Sequence, residues 1–190
     1  MEAIPCSCRW AGSASALPPK TMSRWAVLLD LDNTLVLTDA IEGLRRKPWS
    51  RCYAAFGLTK LPDGTAEFVA QASRVATLGV VTMAPRPYAE KLVAHHGLPI
   101  PTLVAYHDVA RRKPHPDPIV KAAAMLKIPC SECMYVGDGP DDIVAAASAG
   151  AVPVGLSWDG LLVAKKEAAL AVGVCTNWNE VMEILKRFIG

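Results

Sequence analysis

An α/β fold, with a mostly parallel sheet and helices on both faces, is what this sequence predicts, on three observations. Short apolar runs of strand length alternate along the chain with longer stretches of helical character, the pattern of βαβ units. Those runs are continuously apolar, as expected for strands covered on both faces. Glycines stand where the helical stretches stop, at Gly97 and Gly150.

Taken in order, residues 25–29 are the first apolar run and read as a strand. A helical stretch over 66–75 leads into a second strand at 78–81. Residues 88–96 read as a helix ending at Gly97, and 103–106 as a strand. A helix over 118–127 begins with Pro118 near its first turn, where proline's missing N–H costs nothing. Residues 134–136 form another strand, followed by a small-residue helix over 143–149. A strand at 152–156 and a helix at 161–171 come next. Asn177 and Glu180 then make a capping-box pattern ahead of a last helix over 181–188.

The chain has 190 residues, one domain's length, and at 52% hydrophobic and 20% charged it can bury a core, which excludes wholesale disorder. With only 5 Trp, 4 Tyr and 3 Phe, aliphatic residues and alanine must fill that core. No apolar run approaches the roughly 18–20 residues of a membrane span, so no membrane partner is expected. The net charge of +2 is far from the excess of a dedicated nucleic-acid binder. Arg9, Lys20 and Arg24 against Glu2 account for it, so the body of the chain is neutral. Residues 1–23, with mixed Ser, Ala, Gly and a Pro-Pro pair, read as a tail outside the fold. Their low acid content also suits an organelle transit peptide, and Met22 could equally be a start. Cys130 and Cys133 form one CxxC, but no second pair at ligand spacing completes a zinc site. Reduced thiols and a cytoplasmic setting follow, with an organelle as the alternative if residues 1–23 are a transit peptide.

In parallel sheets chemistry gathers beyond the carboxyl ends of the strands. Asp30, Asp32 and Thr34 follow the first strand, and Thr82 follows the second. Lys113 leads into a later helix, and Asp138, Asp141 and Asp142 follow the 134–136 strand. Carboxylates gathered at one edge repel one another unless a counter-charge is present. A lysine and a hard divalent cation supply it, and Mg²⁺ favours such oxygen ligands. The residues themselves therefore read as a Mg²⁺ site that handles a phosphoryl group.

The same residues resemble the four motifs of the haloacid dehalogenase (HAD) superfamily, in order and spacing. DLDNTL at Asp30–Leu35 resembles the first motif, GVVT ending at Thr82 the second, Lys113 in KPHPDPI the third and GDGPDD with Asp138 and Asp142 the fourth. The IVAAASAG run after Asp142 resembles the phosphoglycolate-phosphatase-like branch. The likeness covers about residues 25–190, and Met83 departs from it, standing where many relatives place Asn.

The resemblance implies a Rossmann-like HAD core over 24–190, with a reduced cap insert at about 38–62. It implies a phosphatase that acts on a small or macromolecular phosphomonoester through an aspartyl-phosphate on Asp30. Asp32 would be the acid and base, Thr82 would bind phosphoryl oxygens, and Lys113 would neutralise charge on the phosphate and on Asp30. Asp30, the backbone carbonyl of Asp32, and Asp138 would ligate Mg²⁺, with Asp142 ligating through water or holding Lys113. Dehalogenases of the superfamily lack the second aspartate, so Asp32 disfavours dehalogenation. Two other readings are a catalytically silent HAD-fold module and a receiver-like phosphoacceptor domain. The receiver order is wrong here, because the later acidic pair follows Lys113.

Arg45, Arg46, Lys47 and Arg51 surround Trp49 in the one dense basic cluster. A solvated helical face is the ordinary reading of such a run. The sharper one makes Arg45 a contact for a second anionic group on the substrate. A short insert also leaves two arrangements for substrate selection: an open site, or a homo-oligomer in which a neighbouring subunit forms the lid.

Overall fold

Strand β1 (Ala26–Leu29) is the strand from which the sheet grows in both directions. β2 (Thr77–Val81) and β3 (Thr102–Val104) extend it to one side. β4 (Cys133–Gly137), β5 (Val152–Leu156) and β6 (Gly173–Cys175) extend it to the other. In this computed structural model, which describes residues 24–160 and 166–189, the order is β3-β2-β1-β4-β5-β6 and every pairing is parallel. Chain direction across the sheet reverses between β1 and β4, and such a switch point opens a crevice at the carboxyl ends. The register pairs Leu29 with Val136, which brings the residues following both strands to the same level of that crevice.

The β1 run is apolar throughout because both of its faces are covered. Val27 and Leu29 enter one core cluster and Ala26 and Leu28 the other, and all four are fully buried. Helices α2 (Thr65–Val75), α3 (Arg86–His95) and α6 (Trp178–Ile189) close the first face through residues such as Phe68, Leu92 and Leu185. Helices α4 (Asp117–Leu126) and α5 (Pro140–Ala149) close the second through Ile119, Ala122, Ala145 and Ala146. Each leucine buried here contributes about 1.5–3 kcal/mol relative to exposure. Trp178 ties α6 to α2, stacking on Phe68 at 4.3 Å while its Nε1 donates to Thr65 Oγ1 at 2.7 Å.

The helix ends follow the residues expected to stop them. Gly97 and Gly150 adopt φ of +64° and +73°, the left-handed turn that glycine takes without a Cβ clash. Asn177 caps α6 by accepting the Glu180 amide at 3.1 Å, and Glu180 accepts the Thr176 amide at 2.8 Å.

Three elements differ from the sequence reading. β3 ends at Val104 because the Ala105 amide donates to Asp108 Oδ2 and the Tyr106 amide to Ala84 O, which takes both out of the ladder. Of the helix expected over 161–171, residues 161–165 lie outside the described residues, and Lys166–Leu170 is a short 3-10 turn. The tail reading of residues 1–23 also lies outside them. β6 carries only three residues on the edge of the sheet, too few for a periodic signal.

Between Thr38 and Pro62 the chain makes a 3-10 turn (Asp39–Leu44), helix α1 (Trp49–Ala54) and a second turn (Phe56–Leu58). Leu37 and Lys60 exchange backbone hydrogen bonds of 2.8 and 3.3 Å, closing the segment at its base. Trp49 and Phe56 pack on the ring of Tyr88 in α3 at 5.9 and 5.5 Å, so an aromatic seam fastens the segment to the core.

Candidate active site

Five side chains named from the sequence meet at the crevice. Asp30 follows β1 and continues its ladder, its amide donating to Val136 O at 2.9 Å. Thr82 does the same beyond β2, donating to Val104 O, and its Oγ1 accepts the Ala84 amide at 3.0 Å. That contact uses a lone pair and leaves the hydroxyl proton for another partner. Asp138 follows β4, and Asp142 stands in the first turn of α5. Lys113 reaches in from the loop before α4.

Lys113 is the hub. Its ammonium donates to Asp30 Oδ1 at 2.6 Å, to Asp142 Oδ1 at 2.5 Å and to the Tyr135 hydroxyl at 3.0 Å. An ammonium has three donors, and all three are used. The Tyr135 hydroxyl in turn donates to Asp142 Oδ1 at 2.9 Å, nearer than its other acceptor, Val81 O, at 3.2 Å. Asp142 Oδ2 accepts the Gly139 amide at 3.0 Å, so both oxygens of this carboxylate are occupied. Gly137 makes the close approach possible, since a Cβ there would run into the Asp142 carboxyl group.

Burial sets the electrostatics. It pushes Asp30 well above the ordinary carboxylate range, against the pull of Lys113, and Asp142 and Asp138 raise it further. Burial acts in the opposite sense on Lys113, but Asp142 and Asp30 outweigh it and hold the ammonium charged well past the usual lysine value. Asp138 is pushed up to about 6, by burial first and Asp142 second, although Thr34 Oγ1 donates to its Oδ1 at 3.1 Å. Asp30, Asp138 and Asp142 each present a carboxylate oxygen within 4.8 Å of the others. An all-oxygen set in which burial, and then neighbouring carboxylates, raise Asp30 and Asp138 fits a hard divalent cation.

Asp32 stands apart from that cluster. The Tyr88 hydroxyl donates to its Oδ1 at 2.7 Å, and Arg45 Nη2 donates to its Oδ2 at 2.9 Å. Burial and the neighbouring Asp32 push the Tyr88 phenol far above its usual value, so it remains a donor at all ordinary pH. Arg45 is therefore committed to Asp32, while Arg46, Lys47 and Arg51 are exposed, as an ordinary solvated face would have them. Beside this pair opens a cavity of about 440 Å³, lined by Arg45, Trp49, Met83, Tyr106 and His107 among others. Tyr88 and Tyr135 escape sequence reasoning because each sits in an apolar helix or strand pattern with only its hydroxyl in the site.

A parallel sheet in the order 3-2-1-4-5-6, with these side chains at its switch point, invites comparison with known proteins. The family model of haloacid dehalogenase-like hydrolases matches residues 38–150. The chain belongs to that family. It is 30% identical over 154 residues to the phosphoglycolate phosphatase of Escherichia coli K12, an alignment covering 78% of this chain and 59% of that protein. The phosphoglycolate phosphatase of Salmonella typhimurium is 29% identical over the same length. The chain thus spans about three fifths of the length of these relatives. Among solved structures, CbbY from Rhodobacter sphaeroides in complex with phosphate superposes with a TM-score of 0.69 at 20% identity, covering 82% of this chain and 95% of that one. A HAD family hydrolase from Deinococcus radiodurans with bound phosphate and sodium gives 0.67 at 22% identity, covering 85% and 95%. These structural likenesses establish the HAD Rossmann-like fold.

Proposed function

We propose that this chain is a Mg²⁺-dependent phosphatase that hydrolyses a phosphate monoester through an aspartyl-phosphate on Asp30. The observation that carries the reading is the Lys113 ammonium, 2.6 Å from Asp30 Oδ1 inside a buried group of carboxylates at the switch point. Lys113 fixes the Asp30 carboxylate by Oδ1, which leaves Oδ2 to attack phosphorus. The P–O bond to the leaving group breaks as the Asp30–phosphorus bond forms, and Asp32 gives its proton to the departing oxygen. Asp32 then takes a proton from water, the water oxygen bonds to phosphorus, and the Asp30–phosphorus bond breaks to release inorganic phosphate. Thr82 donates its free hydroxyl proton to a phosphoryl oxygen, and Lys113 offsets the charge that accumulates there.

Asp30, Asp138 and the backbone carbonyl of Asp32 are the residues that would hold Mg²⁺. Asp142, with both oxygens already taken, would hold Lys113 instead. When bound, the cation would supply positive charge to the phosphoryl oxygens and offset the burial and the carboxylate repulsion that raise Asp30 and Asp138. Phosphoglycolate, the substrate in the name of the bacterial relatives, heads the panel of substrates to try, followed by sugar phosphates, nucleotides and phosphopeptides. The reading sets this chemistry in the cytoplasm, or in an organelle if residues 1–23 are a transit peptide. No helix among the described residues is long and apolar enough to cross a membrane. The silent-module alternative is disfavoured because Lys113 lies 2.6 Å from the nucleophile and the metal carboxylates offer oxygens within 4.8 Å of one another. The deciding experiment is turnover of p-nitrophenyl phosphate with and without Mg²⁺ by the wild type and Asp30→Asn. Turnover that requires both Mg²⁺ and Asp30 supports the reading, and equal turnover by the variant overturns it.

A further inference from the structure

Both oxygens of Asp32 are held by side chains that none of the four family motifs contains. Tyr88 comes from α3, in the core, and Arg45 from the end of the 3-10 turn at Asp39–Leu44, in the inserted segment. The guanidinium of Arg45 also lies over the Tyr88 ring, 5.1 Å from its centroid. The three groups therefore form a closed triangle: phenol to carboxylate, carboxylate to guanidinium, guanidinium to ring.

We infer that Tyr88 is the positioning residue for Asp32 and that Arg45 is a displaceable second partner; the inference rests on the phosphatase reading given above. Three features single out Tyr88. Its ring is fully buried and wedged between Trp49 and Phe56, at 5.9 and 5.5 Å, so the hydroxyl has one fixed direction. Its hydroxyl takes Oδ1 alone, leaving the chemistry of proton transfer to Oδ2. It belongs to core helix α3, so its backbone is set by the core and not by the inserted segment. Arg45 differs on each count. It occupies Oδ2, the oxygen that must be free for a proton to pass, and its side chain is 27% exposed toward the cavity where a leaving group would enter. For Asp32 to protonate a leaving oxygen, Arg45 must release Oδ2, whereas Tyr88 keeps hold of Oδ1 throughout. The inserted segment thereby reports on cavity occupancy to the acid through a single guanidinium.

Tyr88→Phe tests this, because it removes one oxygen and keeps the ring that packs against Trp49 and Phe56. The readout is kcat/KM for two probes: p-nitrophenyl phosphate, whose leaving group departs readily without a proton, and β-glycerophosphate, whose alkoxide needs one. General acid catalysis contributes about a hundredfold or more, so a misplaced acid should show chiefly with the alkyl ester. The expected result is a loss for β-glycerophosphate at least about tenfold larger than for p-nitrophenyl phosphate. In an Asp32→Asn background the same Tyr88→Phe change should produce no such differential, since its intermediary is gone. Equal losses on both probes, or a differential that survives without Asp32, would mean that Tyr88 serves only packing, and the inference falls. Wild-type protein that turns over neither probe in Mg²⁺ overturns the phosphatase reading itself and this inference with it. Circular dichroism and thermal unfolding of Tyr88→Phe separate both outcomes from a failure to fold.

Discussion

Asp142 Oδ1 lies 2.5 Å from Lys113 Nζ, with both side chains at most 6% exposed. A buried ion pair of this kind adds little net stability while intact, yet removing one member strands the other. Lys113→Met should therefore cost about 3–5 kcal/mol in urea unfolding at pH 7, since Asp30 and Asp142 lose their shared cation. The cost should shrink as pH falls and the Asp30 carboxyl, raised by burial, accepts a proton. Turnover should vanish at every pH. A loss under about 1 kcal/mol would show that solvent or rearrangement compensates, contrary to the burial described here.

The sequence and the structure agree best where chemistry and packing coincide. β1, β2, β4 and β5 were legible because each is covered on both faces and reads as an unbroken apolar run. Asp30, Thr82, Lys113, Asp138 and Asp142 were legible because parallel strands deliver the residues that follow them to one edge. Arg45 drew attention as one of several basic residues, but its pairing with Asp32 is a contact across the fold that local pattern does not encode. Tyr88 and Tyr135 were hidden for a related reason. A tyrosine contributes an apolar ring to a periodic face, and its hydroxyl matters only once the tertiary neighbours are known.

The Asp30 carboxyl is lifted by burial and by Asp142 and Asp138, so a neutral amide of the same shape is well tolerated there. Asp30→Asn should abolish turnover while the protein unfolds within a few degrees of wild type. In the wild type, beryllium fluoride with Mg²⁺ should raise the melting temperature by occupying the Asp30 carboxylate, and in Asp30→Asn it should not. Residual activity above about a hundredth of wild type would count against Asp30 as the nucleophile.

Asp138 gives the metal-free protein a pH dependence with a definite sign. Its carboxyl is raised to about 6 in the folded chain from a starting value of 3.8, so between those values the folded state binds more protons than the unfolded one. Stability must then fall as pH rises through this window and stay low above it. Two pK units correspond to roughly 3 kcal/mol, an upper figure for a partly exposed group. In EDTA, Asp138→Asn should be the more stable protein at pH 7–8 and no more stable than wild type near pH 4. Mg²⁺ should reverse the order at neutral pH by stabilising only the wild type. Denaturation curves across pH 4–8, with and without the metal, read all three expectations.

Chelation should silence turnover, and Mg²⁺ should restore it. Ca²⁺ should bind but restore little, because it takes more ligands at longer distances than Mg²⁺ and would set the phosphoryl group out of line with Asp30. A titration of EDTA-treated protein with each ion, followed by both turnover and melting temperature, separates binding from activity. Equal turnover with the two ions would remove geometry as the basis of the choice.

Trp158 offers a test of how the loop that follows Asp30 and Asp32 is held. Its Nε1 donates to the Asn33 carbonyl at 2.9 Å, and Asn33 itself has φ of +59°, a left-handed conformation costly for most residues other than glycine. Asn33 is the link between Asp32 and Thr34, and Thr34 donates to Asp138. The Trp158 ring packs edge-on against Trp178 at 5.6 Å, so the hydrogen bond is anchored in the core cluster that joins α2 and α6. Trp158→Phe keeps an aromatic ring and deletes the donor, which should cost about 1 kcal/mol of stability, the usual worth of one such bond. The catalytic effect should be larger than that. A loop released by even a fraction of an ångström misplaces Asp32 relative to the leaving oxygen, and positioning errors act on the transition state more than on binding. The expected signature is a fall in kcat of about tenfold or more with KM within about twofold of wild type. A rise in KM at unchanged kcat would instead place the Trp158 contact on the binding side of the reaction.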